Sequence, residues 1–129
     1  MTAVTAGLVA ALAAYVINRI LIIKTGNKAI AGIIPFVEEL LKSGVPYLLG
    51  EPIYVAHAVF GLSEAVYEIV TGRATESRSG AVLSLLSHTL FGLLTMYLFG
   101  LSGSFIAAVL AASVVHVLWN NLVVQVYTR

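Results

Sequence analysis

Residues 30–49 read IAGIIPFVEELLKSGVPYLL, an apolar run that carries three charged residues near its middle, Glu38, Glu39 and Lys42. A run of about 20 apolar residues is long enough to cross a bilayer as a helix. A charged side chain at membrane depth is costly and rare, and it usually has a partner and a function. We therefore expect the fold and the function of this chain to depend on what surrounds these three side chains.

The composition of the whole chain is that of an integral membrane protein. Of the 129 residues, 60% are hydrophobic and 10% are charged, whereas a typical soluble domain has about 25% charged residues. The mean hydropathy is +1.00. The formal net charge of +1 implies nothing about nucleic acid, and the sequence has no basic patch with interleaved aromatic residues, so no nucleic-acid partner is predicted. The chain has no cysteine, which excludes disulfides, thiol catalysis and thiolate metal sites.

The apolar segments predict an all-α fold, a polytopic transmembrane bundle of about five spans in a single domain, residues 1–129. The predicted spans cover about residues 3–23, 29–49, 52–70, 81–99 and 105–127. Pro35 predicts a kink in the second span, and residues 43–46, Ser-Gly-Val-Pro, predict that its helix ends or breaks after Lys42.

Basic residues predict the orientation in the membrane. Lys24 and Lys28 follow the first span, Arg73 and Arg78 follow the third, and Arg129 ends the chain. These three segments lie on one side of the membrane if five spans alternate in direction. The positive-inside rule then predicts a multi-pass protein of the cell membrane, with its N-terminus outside and its C-terminus in the cytoplasm.

Polar side chains on four predicted spans fall at a similar depth. We count the depth of each residue from the predicted cytoplasmic end of its span, where each residue adds about 1.5 Å. Glu64 and Asn120 lie about seven residues in, and His88 lies about eight residues in. Glu38 and Glu39 lie about ten residues in, and His116 about eleven. Unrelated structural roles would scatter such residues in depth, so their agreement predicts one polar layer. His57 is expected nearer the outer side and Glu68 nearer the inner interface, both outside this layer.

Charges at this depth need partners. At about 2.5–3.5 kcal/mol for each charge in the middle of a span, the four glutamates and Lys42 would together cost about 15 kcal/mol if they were unpaired. That is as much as the whole free energy of unfolding of a typical domain. These groups must therefore pair, take up protons, contact water or bind a metal.

Two kinds of hydrolytic site are compatible with these residue types. Two glutamates and two histidines on three or four helices are similar to the ligand set of a catalytic zinc site, in which a further carboxylate acts as general base. Without a metal, a glutamate activates water directly, and histidine together with Asn120 stabilises the oxyanion. The chain has no His-Glu-x-x-His, Gly-x-Ser-x-Gly or glycine-rich phosphate motif.

The order of these residues resembles the PrsW branch of the superfamily of CAAX-processing and bacteriocin-processing intramembrane proteases. The four segments that resemble its motifs are Glu38-Glu39-x-x-Lys42, Phe60-x-x-x-Glu64, His88-x-x-x-Gly92 and His116-x-x-x-Asn120. The CAAX-processing branch would have Glu-Glu-x-x-x-Arg and a histidine in place of Glu64. The chain departs from that branch at both points, which disfavours prenyl-protein processing.

The resemblance implies an intramembrane protease that hydrolyses a peptide bond of a membrane-embedded peptide or protein in the cytoplasmic half of the bilayer. The implied roles are general base for Glu38 or Glu39, charge partner for Lys42, metal ligand or transition-state stabiliser for Glu64, His88 and His116, and oxyanion donor for Asn120. The implied metal is zinc, and a metal-free mechanism that depends on glutamate remains open beside it.

Two other functional classes also remain open. Chains of glutamate and histidine in membranes relay protons and transport ions. Small residues recur at four-residue spacing on the first span, at Ala3, Gly7 and Ala11, and such a face allows another helix to approach closely. A catalytically silent scaffold, or a homo-oligomer, is compatible with that pattern.

Overall fold

The structure, a computed structural model, describes residues 2–30, 32–72 and 76–127. The α-helices are α1 (Ala3–Thr25), α2 (Ile33–Leu48), α3 (Ile53–Thr71), α4 (Glu76–Ser102) and α5 (Phe105–Tyr127), with a short 3-10 helix (Asn27–Ala29) between α1 and α2. No strand occurs in these ranges, and the predicted all-α bundle of about five helices is confirmed. Arg73 and Arg129, two of the residues used to predict the orientation, lie outside the described residues.

Four of the helices are long and apolar enough to cross a membrane. They comprise Ala3–Thr25, Ile53–Thr71, Arg78–Ser102 and Phe105–Val123, which indicates a membrane protein. The remaining α-helix, α2, has 16 residues, so at about 1.5 Å per residue it is about 24 Å long. It is shorter than the hydrocarbon core, which is about 30 Å thick. The predicted second span, from about residue 29, began too early, because Ala29 ends the 3-10 helix and α2 begins only at Ile33.

The predicted break after Lys42 is wrong. Helix α2 continues through Pro46 to Leu48, although a proline there removes one backbone hydrogen bond from the helix interior. The chain turns at Gly50, whose φ of 67° favours glycine. Pro35 is the third residue of α2, where its missing N–H would have had no partner within the helix.

Helix α4 is longer at both ends than the sequence predicted. It begins at Glu76 and ends at Ser102, whereas the predicted span covered about residues 81–99. The turn into α5 therefore contains only Gly103 and Ser104, and Gly103 has a φ of 66°.

Helix α2 has its charged face inside the bundle. Glu38, Glu39 and Lys42 are buried, whereas Leu40 and Leu48 on the other faces are exposed. In a bilayer this arrangement is stable because lipid accommodates apolar side chains, while charges need protein partners.

Small residues bring α1 and α3 together. Ala3, Gly7 and Ala10 lie on the buried face of α1. A Cβ atom placed on Gly7 would lie 2.7 Å from the carbonyl oxygen of Ala56 and 2.8 Å from the Cβ of Val59. The close helix approach predicted from the small-residue spacing of the first span is thus confirmed.

The two ends of the bundle differ in chemistry. At one end the rings of Tyr47, Phe99 and Phe105 pack together, and the centroids of Tyr47 and Phe105 are 4.0 Å apart in a stacked pair. Towards the other end, side chains from α2, α3, α4 and α5 surround a cavity. We call it the polar cavity because its lining includes Glu38, Glu64, His88 and His116. The aromatic contacts and the polar cavity therefore lie on opposite sides of the charged residues of α2.

Candidate functional site

Lys42 is the centre of the buried polar residues. Its side chain is fully buried, and its Nζ lies 2.7 Å from Glu39 Oε1, 4.0 Å from Glu38 Oε2 and 2.7 Å from His88 Nδ1. The ring centroid of Phe60 is 4.8 Å from the same nitrogen, within reach of a cation–π interaction. An ammonium group only donates hydrogen bonds, so Glu39 and His88 accept from it.

The contact with Lys42 determines the tautomer of His88. Because Nδ1 accepts from Lys42, the ring hydrogen lies on Nε2. That nitrogen donates to Glu64 Oε2, which also accepts from Ser84 Oγ at 2.9 Å. A neutral imidazole thus joins the ammonium on α2 to a carboxylate on α3.

His116 connects α5 to the two adjacent glutamates. Glu39 Oε1, which accepts from Lys42, also lies 2.9 Å from His116 Nδ1. A carboxylate that accepts from an ammonium is ionised, so Nδ1 of His116 carries the hydrogen and donates it. The other ring nitrogen, Nε2, lies 3.8 Å from Glu38 Oε2. Nε2 is therefore available to accept a proton.

Glu38 is positioned by a residue of α1. The amide Nδ2 of Asn18 donates to Glu38 Oε1 at 2.7 Å. The second oxygen, Oε2, is 3.8 Å from His116 Nε2 and 4.0 Å from Lys42 Nζ, both too long for direct hydrogen bonds. Asn18 was not among the predicted site residues, and an amide inside an apolar span was the only sequence signal for it.

A polar cavity of about 280 Å³ opens beside these groups. The predicted site residues that line it are Glu38, Glu64, His88, His116 and Asn120. Glu39 is fully buried and is not among the lining residues, so Glu38 is the one of the adjacent glutamates that faces the cavity. Asn120 uses its Nδ2 to donate to the carbonyl oxygen of Ile30 at 3.2 Å. Glu68 is exposed and also lines the cavity.

His57, which the sequence places nearer the outer side than the polar layer, joins the buried network from that side. It is fully buried, with Nε2 2.9 Å from Ser43 Oγ and Nδ1 3.2 Å from the carbonyl oxygen of His88. Glu39 Oε2 lies 4.0 Å from the same Nδ1. Close packing explains this position, since a Cβ on Gly92 would lie 2.7 Å from the Cβ of His57.

Ser43, His57 and Glu39 have the residue types of a catalytic triad, but their burial does not suit one. Ser43 and His57 are both fully buried, and neither lines the polar cavity. A substrate carbonyl carbon in the polar cavity would therefore not contact the Ser43 hydroxyl. We interpret the pair as a structural hydrogen bond that fixes α3 against α2.

The donor set suited to a metal differs from the predicted one. Glu38, His88 and His116 each offer one ligand atom, and these atoms lie within 4.8 Å of one another, whereas Glu64, a predicted ligand, bonds to His88. A carboxylate with two imidazoles is a donor set that zinc accepts. However, both nitrogens of His88 are engaged, and the Lys42 ammonium lies 2.7 Å from one of them. These contacts fit a zinc ion poorly, and zinc binding stays a prediction.

No family model matches the sequence, and comparison with curated proteins and with solved structures finds no significant match. The resemblance to intramembrane proteases therefore stays a prediction based on four short motifs. A functional assignment depends on the geometry of the buried polar residues themselves.

Proposed function

We propose that the chain is an intramembrane protease of the kind its four motifs imply, and that it hydrolyses peptide bonds with water activated by Glu38. The observation that carries the proposal is the 3.8 Å gap between Glu38 Oε2 and His116 Nε2 at the wall of the polar cavity. A separation of this size suits one bridging water. A water held there touches a carboxylate that takes up its proton.

Glu38 suits the role of general base because its orientation is constrained. Asn18 holds Oε1 by a hydrogen bond of 2.7 Å, which leaves Oε2 towards the gap. Lys42 Nζ lies 4.0 Å from Oε2, too far for a direct hydrogen bond, so Oε2 is left to accept from the water. When Glu38 takes a proton from the water, the resulting hydroxide attacks the carbonyl carbon of the peptide bond.

His116 suits the role of proton shuttle to the leaving amine. Its Nδ1–H is held by the Glu39 carboxylate at 2.9 Å, so Nε2 can accept, through a bridging water across the 3.8 Å gap, the proton that Glu38 has taken up. The buried Glu39 then stabilises the imidazolium, as a carboxylate does in a histidine-based hydrolase. Delivery of that proton to the departing amine nitrogen completes the cleavage and regenerates both residues.

Asn120 and His88 have different supporting roles. The Asn120 amide carries two N–H groups, and the Ile30 carbonyl accepts one of them, so the other is available to donate to the oxyanion in the cavity. His88 donates its Nε2–H to Glu64 and accepts from Lys42. We therefore propose that His88 positions Glu64 and Lys42 and does not contact the substrate.

The proposed orientation places the polar cavity towards the cytoplasm. Its lining includes Ile30, Glu68 and Gly80, which lie near two basic residues in sequence, Lys28 in the connection from α1 to α2 and Arg78 in the first turn of α4. The positive-inside rule assigns these basic residues to the cytoplasmic side. Cleavage would then occur in the cytoplasmic half of the bilayer, with the N-terminus outside and the C-terminus inside.

Cleavage assays in liposomes test the proposal. Purified protein would be incubated with a panel of membrane-anchored peptides, with Glu38→Gln as the catalytic variant and Glu51→Gln as the matched control in the loop before α3. We expect Glu38→Gln to lower kcat by a factor of about 10²–10⁴, as loss of a general base does, and Glu51→Gln to leave it unchanged. Equal cleavage by wild type and Glu38→Gln, or no cleavage of any peptide by wild type, would contradict the proposal.

Metal analysis tests the metal-free form of the mechanism. Because His88 is engaged at both nitrogens, we expect wild-type protein to contain far less than one zinc per chain and to keep its activity after dialysis against a chelator. One zinc per chain that is lost in both His88→Ala and His116→Ala would replace the metal-free mechanism with a zinc-dependent one.

Proton relay is the second candidate function, favoured by a chain of contacts that runs from Glu64 through His88, Lys42 and Glu39 to His116. Such a chain allows protons to move between ionisable groups. Proton flux into liposomes that requires Glu64 and His88, without cleavage of any peptide, would select this function. Flux that is the same in Glu64→Gln and in wild type would exclude it.

A further inference from the structure

A groove between α1 and α3 lies beside the polar cavity. It has a volume of about 550 Å³, within the range of about 300–1,000 Å³ typical of ligand pockets. Its walls are mainly apolar, and Leu8, Leu12 and Ile23 among its lining residues are also exposed. Since α1 and α3 are both long and apolar enough to span a membrane, the groove faces the region where lipid would lie. We call it the α1–α3 groove.

Two polar side chains connect the α1–α3 groove to the polar cavity. Glu64 lines both. Asn18 lines the groove and donates to Glu38, the proposed general base. The Asn18 Oδ1 atom is buried, and none of the described residues donates a hydrogen bond to it. The Glu64 side chain keeps 38% of its surface exposed, so an accessible acceptor lies where the groove meets the polar cavity.

Arg19 gives the groove a positive charge. Arg19 is one of the lining residues, and its guanidinium donates to Tyr15 Oη at 3.3 Å. Within residues 2–30, 32–72 and 76–127, the ion pairs involve other basic groups and none involves Arg19. An anionic group placed in the groove near Arg19 would thus have a partner of opposite charge.

We infer that the α1–α3 groove binds an unwound apolar segment of a membrane-embedded polypeptide, with an acidic side chain at Arg19, and guides it towards Glu38. This inference rests on the proposed protease function. A peptide suits the groove better than a lipid tail does, because an unwound backbone has free N–H groups that can donate to the partly exposed Glu64 carboxylate. A lipid tail has no donor and would cover Asn18 and Glu64 with hydrocarbon. Irregular backbone at membrane depth is tolerated where it lies against protein in this way.

Photo-crosslinking tests the position of the bound segment. The probe is a synthetic single-span peptide of leucine and alanine, with one photoreactive diazirine leucine and one aspartate near its cytoplasmic end. It would be reconstituted with the Glu38→Gln variant, so that it stays uncleaved. We expect mass spectrometry to locate the crosslinks on Leu12 and Tyr67, which line the groove and are exposed. Ala11→Trp, which fills the groove, should abolish them, whereas Val16→Trp, an exposed position of α1 outside the groove, should not.

A charge reversal tests the role of Arg19 without depending on folding. The aspartate probe should bind wild type about fivefold more tightly than a matched lysine probe, as expected for an exposed ion pair. Arg19→Glu should reverse this preference. A preference that Arg19→Glu leaves unchanged would overturn the proposed recognition of an acidic side chain.

The outcomes separate this inference from the protease proposal. Cleavage by wild type, together with crosslinks outside the groove that Ala11→Trp does not alter, would overturn the groove inference and leave the protease proposal intact. Crosslinks in the groove without cleavage of any peptide would overturn the protease proposal and retain the binding site. Labelling of the groove by a diazirine phosphatidylcholine that excess peptide does not displace would assign the groove to lipid.

Discussion

The charged cluster around Lys42 and the aromatic contacts at Tyr47 lie five residues apart on the same helix, but they are held together differently. At Lys42 each group depends on a particular partner, such as Glu39 or His88 at 2.7 Å. At Tyr47 the rings of Phe99 and Phe105 make contacts that depend on shape. Loss of one partner in the cluster leaves a buried charge uncompensated, whereas loss of one ring removes only that ring's contacts. The comparison indicates that the cluster is specific and sensitive to substitution, and that the aromatic end is tolerant.

The largest effect is expected for Lys42→Met. This change leaves Glu39 and His88 without their buried cationic partner, which should lower the free energy of unfolding by about 3–5 kcal/mol. The measurement is denaturant unfolding of the protein in detergent, with Leu41→Met, a change of similar shape beside it, as the control. A loss below about 1 kcal/mol would mean that Glu39 is not held as a buried ion, because removal of its partner would then matter little.

A smaller effect is expected for Ser43→Ala, which deletes the hydroxyl that lies 2.9 Å from His57 Nε2. The imidazole nitrogen remains buried without a partner, so we expect the free energy of unfolding to fall by about 1–3 kcal/mol. Catalytic activity at a temperature where the variant is folded should be retained, because neither residue lines the polar cavity. Complete loss of cleavage by a folded Ser43→Ala protein would instead assign Ser43 to the chemistry.

The smallest effect is expected for Phe105→Leu at the aromatic end. The change removes the stacked contact with Tyr47, whose ring centroid is 4.0 Å away, and an aromatic pair contributes about 0.5–1.5 kcal/mol beyond its buried area. The same unfolding measurement would detect that loss, and the cleavage assay should show no change in kcat. A fall in kcat similar to that of Glu38→Gln would show that the two ends are coupled, which would contradict the comparison.

The helices were predictable because their signals are local. Long apolar runs indicated α1, α3, α4 and α5, and four of the helices have the length and hydropathy of spans. The errors occurred at boundaries, where local signals compete with packing. Pro46 predicted a break, but it removes only one hydrogen bond, and the chain turns at Gly50 instead.

The sequence predicted that the site residues share one depth in the membrane, but it did not predict which of them contact one another. Residue counts along straight helices indicated that Glu64, His88 and His116 share a depth, and the structure brings them together with α2. The same counts left His57 outside, because they contain no information on how closely α3 and α4 pack at Gly92. Asn18 was missed because its partner, Glu38, is on another helix and 20 residues away.

The sequence by itself determined that this chain is helical, that its helices suit a membrane and that ionisable groups from several helices share one depth. These properties follow from hydropathy and helical periodicity, which depend only on neighbouring residues. The tertiary structure alone decided that Glu38 faces the cavity while Glu39 is buried against Lys42 and His116, and that His116 keeps a free Nε2. Adjacent residues on a helix point about 100° apart. Only the placement of the other helices determines which of the two glutamates lines the polar cavity and which is fully enclosed by Lys42 and His116.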